Sequence, residues 1–162
     1  MGNGYDAHRF AEERRLVLCG VDIDHAQGLA GHSDADVAVH ALMDALLGAA
    51  GLGDIGELFP DTDPAFQGAS SMRLLGKVMA WLTQNGWNVE NADVTVICER
   101  PKLAGYRLEM RENLAAALGV ASDAVSVKAT TTEGMGFEGR GEGIAASAVC
   151  LLARDDKASA GL

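Results

Sequence analysis

The sequence predicts an α+β layer: a single sheet of about four main strands with helices packed on one face. Three observations carry this. Apolar residues recur at helical spacing in three separate segments. Runs of alternating character precede, separate and follow them, in the order strands, helix, helix, strand, helix, strand, strand. No internal repeat, linker or low-complexity tract divides the chain, so residues 1–154 are expected to form a single domain that carries any catalytic site, with residues 155–162 (DDKASAGL) a frayed tail.

The elements follow in order. Residues 15–23 (RLVLCGVDI) are β-rich and alternate, as a strand or hairpin arm does. The first helix is expected over residues 34–50, with Ser33 as N-cap and Asp36 three positions later, as in a capping box. Val37, Ala41 and Ala45, with Ala38, Leu42 and Leu46, supply its apolar surface. The second helix is expected over residues 71–85, where Met72, Leu75, Val78, Met79 and Leu82 keep the 3.6-residue period and Gly86 suits the C′ position. Residues 92–99 (ADVTVICE) alternate like a strand that Arg100–Pro101 ends, because proline cannot donate to a ladder. The third helix spans residues 103–118 and stops at Gly119. Residues 125–132 (VSVKATTT) and 143–152 (GIAASAVCLL) are the last two strands.

Composition bounds the function. The 162 residues are 48% hydrophobic, enough for one compact core. No apolar run approaches the roughly 20 residues that span a bilayer, and the N-terminus lacks the apolar region of a signal peptide. Three widely spaced cysteines without a C-x-x-C pair read as reduced thiols, so a cytoplasmic protein is expected. The net charge of −10, with no basic cluster, argues against nucleic acid as a partner. It also means that a phosphorylated substrate needs local positive charge from metal ions, a few Lys or Arg side chains, or backbone N–H groups.

Five segments carry candidate chemistry. Asp6 and His8 are two apart, so in extended chain they point the same way and can share one ion. Asp36, His40 and Asp44 make one stripe of the first helix, which has none of the Lys, Glu and Gln that a solvated face would show. A buried polar stripe must find partners, and a metal is one; Asp36 and Asp44 are then candidates for the outer shell of a histidine ligand. Residues 53–64 (GDIGELFPDTDP) have no helical period and alone read as a loop with Asx turns. Cys98 to Leu103 place backbone amides and Lys102 at a strand exit, a pocket for an anion or a base as readily as a plain proline-marked bend. Thr130 to Thr132 offer hydroxyl donors at a strand end, Glu133 an oxygen ligand of the kind Mg²⁺ takes, and glycines with Arg140 follow.

The stretches GYDAHRF, GHSDADVAVHALMDALLGAAGLGDIGELFPDTDP, CERPK and KATTTEGMGFEGRGEGIA together resemble one family, the 2-C-methyl-D-erythritol 2,4-cyclodiphosphate synthases of non-mevalonate isoprenoid biosynthesis. The resemblance covers nearly the whole chain. It implies a homotrimer with active sites at subunit interfaces. It implies a phosphorus-oxygen lyase that cyclises 4-diphosphocytidyl-2-C-methyl-D-erythritol 2-phosphate, the 2-phosphate attacking the β-phosphorus and CMP leaving. Asp6, His8 and His40 match the ligands of one divalent ion, zinc. Glu133 matches the ligand of a second ion, Mg²⁺, which serves the substrate diphosphate. His32 and Thr131 match the catalytic, transition-state-stabilising residues. Ser33, Asp54, Ile55, Gly56, Phe59, Pro60, Asp61, Thr62 and Asp63 match substrate-contacting loops. Cys98, Glu99, Arg100, Pro101, Lys102, Leu103 and Ala104 match a cytidine pocket that a second subunit contributes. Thr130, Thr132, Phe137 and Arg140 match further substrate contacts. An isoprenoid diphosphate in the trimer's central channel is also implied, although Ser147 stands where some relatives carry a glutamate. Only Met1 to Asn3 precede the first motif, so a short or clipped first strand is expected.

The chemistry fits these residues. Three protein ligands leave zinc's fourth tetrahedral position open. An intramolecular phosphoryl transfer needs alignment and charge neutralisation, not a protein nucleophile, and no Ser/His/Asp triad is evident. Two other classes stay open: a metal-dependent phosphoesterase using zinc-bound water, and a non-catalytic trimer whose metal is structural.

Overall fold

The computed structural model describes residues 1–60 and 68–154; Asp61, Thr62 and Asp63 of the expected substrate loop, and the expected tail, lie outside the described residues. The chain opens with β1 (Gly2–Ala11), ten residues long rather than short, paired from Gly2 to Arg9 with the last strand. Leu16–Leu18 (β2) and Val21–Ile23 (β3) form a hairpin. Its turn residues Cys19 and Gly20 both have positive φ, 51° and 73°, as a two-residue type I′ turn requires. This hairpin is a separate two-stranded ribbon and does not join the main sheet. Gly28–Leu29 (β4) pairs with the end of β1.

Helix α1 (Val37–Ala50) starts later than expected. Asp36, not Ser33, is its N-cap, the carboxylate accepting the Val39 N–H at 3.2 Å. Gly51 in the left-handed region ends it, with Gly51 N–H to Gly48 O and Leu52 N–H to Leu47 O, a Schellman motif. Nearly every α1 side chain from Val37 to Leu47 is buried, because the helix lies between the sheet and a second helix. A short α2 (Ile55–Leu58), capped by Asp54 through the Glu57 N–H, occupies the stretch that shows no helical period in sequence; four residues are too few to display one. Helix α3 (Ser71–Gln84) ends at Asn85, with Gly86 at φ +75° in the expected place.

Strand β5 (Trp87–Ile97) begins five residues before the expected start. A bulge between Val89 and Asn91 puts Glu90 and Asn91 both outward, so the alternation visible in sequence starts only at Ala92. Helix α4 (Arg107–Leu118) starts after a turn closed by Tyr106 N–H to Leu103 O, and ends at Gly119. Strand β6 (Val125–Thr130) runs parallel to β5. A four-residue α5 (Gly136–Gly139) leads into β7 (Gly143–Arg154).

Among the described residues the main sheet has five strands in the order β4-β1-β7-β5-β6, not about four. The difference is β4, two residues with no period to read, and β1, which is full length where a short or clipped strand is expected, while residues 16–23 form the separate hairpin. Helices α1, α3 and α4 cover one face. There Ile144, Ala146, Ala148 and Cys150 of β7 meet Leu42, Leu46, Leu75 and Met110 in one buried core. The opposite face leaves Tyr5, Val149 and Leu151 about half exposed.

Candidate active site

The site begins with how closely β1 lies on α1. Residues of even number on β1 face the helix. The first two are Gly2 and Gly4, where a Cβ would sit 2.0 Å from the carbonyl oxygens of Ala45 and Ala41. The next two, Asp6 and His8, then reach His40, one turn into α1. Asp6 Oδ2 lies 2.9 Å from His8 Nε2 and 3.0 Å from His40 Nδ1, and the two ring nitrogens are 3.2 Å apart.

The protonation of these atoms follows from their other partners. His8 Nδ1 lies 2.6 Å from the Ala30 carbonyl, an acceptor, so this nitrogen carries the hydrogen and Nε2 presents a lone pair to the site. A carboxylate oxygen and two ring nitrogens thus converge, an arrangement that a cation, whether a proton or a metal ion, can bridge. Burial works to raise Asp6, but its contacts with the His40 and His8 rings, each favourable once that ring takes up a second proton, overcome it and hold the carboxyl well below the usual carboxylate range. Burial works to lower His8, and the hydrogen bond and charge of Asp6 win, raising it. The cluster attracts positive charge, and one carboxylate with two imidazoles suits a divalent transition metal.

The expected outer shell is corrected. Asp36 does not reach His40: it caps α1 and accepts the Gly20 N–H at 2.8 Å. Asp44 accepts the Ile55 N–H at 2.8 Å. Both carboxylates bind backbone amides of distant segments, pairings no helical spacing encodes. His40 Nε2 instead meets Ser71 Oγ at 2.9 Å and Ser33 Oγ at 3.2 Å.

A cleft of about 460 Å³ opens over the triad, lined by His32, Ser33, Ile55, Gly56, Phe59 and Pro60 as well as the three ligands. Asp54 serves it indirectly, by capping α2. Arg14, which the sequence does not single out, donates to the Gly31 carbonyl at 2.8 Å and the Ser33 carbonyl at 2.5 Å, bracketing His32. Only a long-range contact marks it, so no local signal could have found it.

A second hollow, of about 420 Å³, gathers Cys98, Pro101, Lys102, Leu103, Ala104, Thr130 and Thr131, together with Arg107 and Ala129. Among the described residues it shares no lining residue with the first. Burial pushes the Cys98 thiol up to about 11, so it is protonated at neutral pH and no nucleophile. Glu99 and Arg100 line a different hollow with Arg140. The Glu99 carboxylate accepts the Thr132 N–H at 3.1 Å and the Gly134 N–H at 3.2 Å, bracing the threonine loop. On that loop Thr131 Oγ donates to Glu133 Oε1 at 2.8 Å, and Thr132 Oγ donates to the Met135 carbonyl. Phe137 lies beside His8, Arg9 and Phe10. Arg140 pairs with Glu142, Nε to Oε1 at 2.6 Å. No helix among the described residues is long and apolar enough to cross a membrane.

Comparison with known proteins is consistent in every direction. The family model described as the YgbB family matches residues 1–153. A 2-C-methyl-D-erythritol 2,4-cyclodiphosphate synthase of Methylococcus capsulatus is 60% identical over 154 residues, 95% of this chain and 98% of that one. The enzyme of the same name from Geotalea uraniireducens is 56% identical over 154 residues, with the same coverage. A solved 2C-methyl-D-erythritol-2,4-cyclodiphosphate synthase in its CDP-bound form superposes with a TM-score of 0.86 at 39% identity, covering 94% of this chain and 99% of that one.

Proposed function

The chain belongs to the YgbB family, and from that premise we propose that it cyclises 4-diphosphocytidyl-2-C-methyl-D-erythritol 2-phosphate to 2-C-methyl-D-erythritol 2,4-cyclodiphosphate, releasing CMP. The observation that carries the reading is the convergence of Asp6, His8 and His40 at the floor of a cleft that also holds His32 and Ser33. In the reaction an oxygen of the 2-phosphate forms a bond to the β-phosphorus while the bond from that phosphorus to the CMP oxygen breaks. Nucleophile and electrophile belong to one molecule, so the protein must fold the substrate and offset its charge.

Asp6, His8 and His40 are the residues that would hold a zinc ion. When bound, that ion supplies positive charge and a free coordination position for a phosphate oxygen. Glu133 would hold Mg²⁺ against the diphosphate through oxygen, the ligand that ion favours. His32 and Thr131 would donate to the phosphate oxygens as charge shifts towards the leaving CMP. Ser33, residues 54–56, Phe59 and Pro60 would shape the cleft around the methylerythritol. The hollow lined by Cys98 and residues 101–104 would take the cytidine, with Thr130, Thr132, Phe137 and Arg140 as further contacts.

That hollow and the metal cleft are distinct within one chain, so the cytidine pocket over a given cleft would come from a neighbouring subunit. A homotrimer supplies such neighbours. The uncovered sheet face bearing Tyr5, Val149 and Leu151 offers the surface to build it. Product identification tests the reading: substrate plus Mg²⁺ should yield CMP and the cyclic diphosphate, and a chelator should abolish both. A linear hydrolysis product would overturn it in favour of a phosphoesterase. Sedimentation at monomer mass under assay conditions would overturn the shared site.

A further inference from the structure

Beneath the metal ligands lies a buried hydrogen-bond chain that reaches from His40 to Asp34. His40 Nε2 is 2.9 Å from Ser71 Oγ, and Ser71 Oγ donates in turn to Asp34 Oδ1. Ser71 is fully buried, as the first residue of α3, and His40 nearly so. Asp34 Oδ2 also accepts the Ser71 N–H at 3.0 Å, so carboxylate and serine are joined twice. Two backbone bonds hold the segments in register: Gly68 N–H to His32 O at 2.7 Å and Asp34 N–H to Ala69 O at 3.0 Å.

The direction of the chain follows from its end. An ionised carboxylate only accepts, so the Ser71 hydroxyl proton goes to Asp34. Ser71 Oγ must then accept from His40, which places the imidazole hydrogen on Nε2 and leaves the Nδ1 lone pair facing Asp6 and His8. We infer that Asp34 and Ser71 are positioning residues that fix the tautomer and ring orientation of His40, and so set the affinity of the Asp6–His8–His40 site for its metal. This inference rests on the metal reading of that site. It assigns work to two residues that touch neither the ion nor the substrate. Ser33 Oγ is the rival partner of His40 Nε2, at the longer distance of 3.2 Å; it accepts the Ala35 N–H at 3.0 Å and lies 3.4 Å from Ser71 Oγ, so it reaches the Asp34 carboxylate only through Ser71.

The test is zinc affinity, measured by competition with a chromophoric chelator on the intact chain, beside the melting temperature of the apo form. Loss of a carboxylate-backed partner to a ligating histidine typically weakens metal binding by about 10- to 100-fold. Ser71→Ala is expected to show a loss of that order. Asp34→Asn, which keeps an acceptor but removes the charge, should show a smaller one. Ser71→Thr, which keeps the hydroxyl, should recover most of the affinity. Nitrogen-15 spectra of the apo protein should find His40 as the Nε2–H tautomer, and a mixture in Ser71→Ala. Unchanged zinc affinity in a folded Ser71→Ala would overturn the inference. So would failure of Ser71→Thr to recover affinity while still melting like the wild type, or a larger loss in Ser33→Ala than in Ser71→Ala. If the wild type itself binds no stoichiometric zinc, the metal reading falls, and this inference with it.

Discussion

Gly4 of β1 and Ala41 of α1 are in backbone contact: a Cβ on Gly4 would stand 2.0 Å from the Ala41 carbonyl oxygen and 2.8 Å from the Ala45 nitrogen. Gly4 is two residues ahead of Asp6, and Ala41 follows His40. The contact that seats the strand on the helix therefore also sets the gap across which the metal ligands meet. Gly4→Ala should push the elements apart, costing about 1–3 kcal/mol or more as overpacking does. Urea unfolding should show the loss, and metal analysis a fall in bound ion. Wild-type stability would mean the elements separate freely.

His8→Ala removes one of three ligands from a strand whose pairing with β7 does not depend on that side chain. It is expected to fold, to lose bound metal and to lose turnover. Elemental analysis with circular dichroism checks this. Unchanged zinc content would refute the assignment.

Thr131→Ala should lower kcat by about 10²-fold or more, the usual consequence of deleting a donor to transition-state charge. It should leave bound zinc nearly unchanged, since Thr131 bonds Glu133 and not the triad. Glu133→Gln should instead raise the Mg²⁺ concentration needed for half-maximal rate. Steady-state kinetics across a Mg²⁺ titration separate the two.

Arg14→Ala withdraws two charge-assisted bonds from the carbonyls on either side of His32. A several-fold rise in KM and a lower kcat are expected, with zinc retained, because neither carbonyl belongs to a ligand. Kinetics that match the wild type would show that the bracket is not needed.

Asp36 sets a pH dependence. Burial pushes its carboxyl up to about 6, against the pull of the Gly20, Cys19 and Val39 amides. The unfolded value is near 3.9. Between these values the folded state holds the proton more tightly than the unfolded one. The contribution of Asp36 to stability therefore rises as pH falls from about 6 towards 4, and is flat above about 6 to 7. The difference between wild type and Asp36→Asn in urea midpoints, taken from pH 7 to pH 4.5, should follow that sign. A difference that stays constant, or moves the other way, would contradict it.

Much of the site was legible because its chemistry is local in register. Asp6 and His8 share a face through the two-residue period of a strand, and the helix carrying His40, which has no Lys, Glu or Gln, marks a buried stripe. Gly86 and Gly119 announce helix ends for the same local reason, the left-handed residue each end requires. The bulge in β5 masked its first five residues, and the two residues of β4 have no pattern at all.

The sequence by itself determined the three long helices though not where two of them start, the alternation that aims Asp6 and His8 together, and the composition that demands local positive charge for a phosphorylated ligand. Only the tertiary structure decided which polar groups of α1 face the metal. Asp36 and Asp44 lie on the stripe with His40, yet the Gly20 and Ile55 amides claim them, while Ser71, 31 residues away, claims Nε2 of the histidine. A buried polar group must be satisfied by whatever donor or acceptor packing brings within about 3 Å, and that neighbour is set by the meeting of distant segments, not by spacing along one helix.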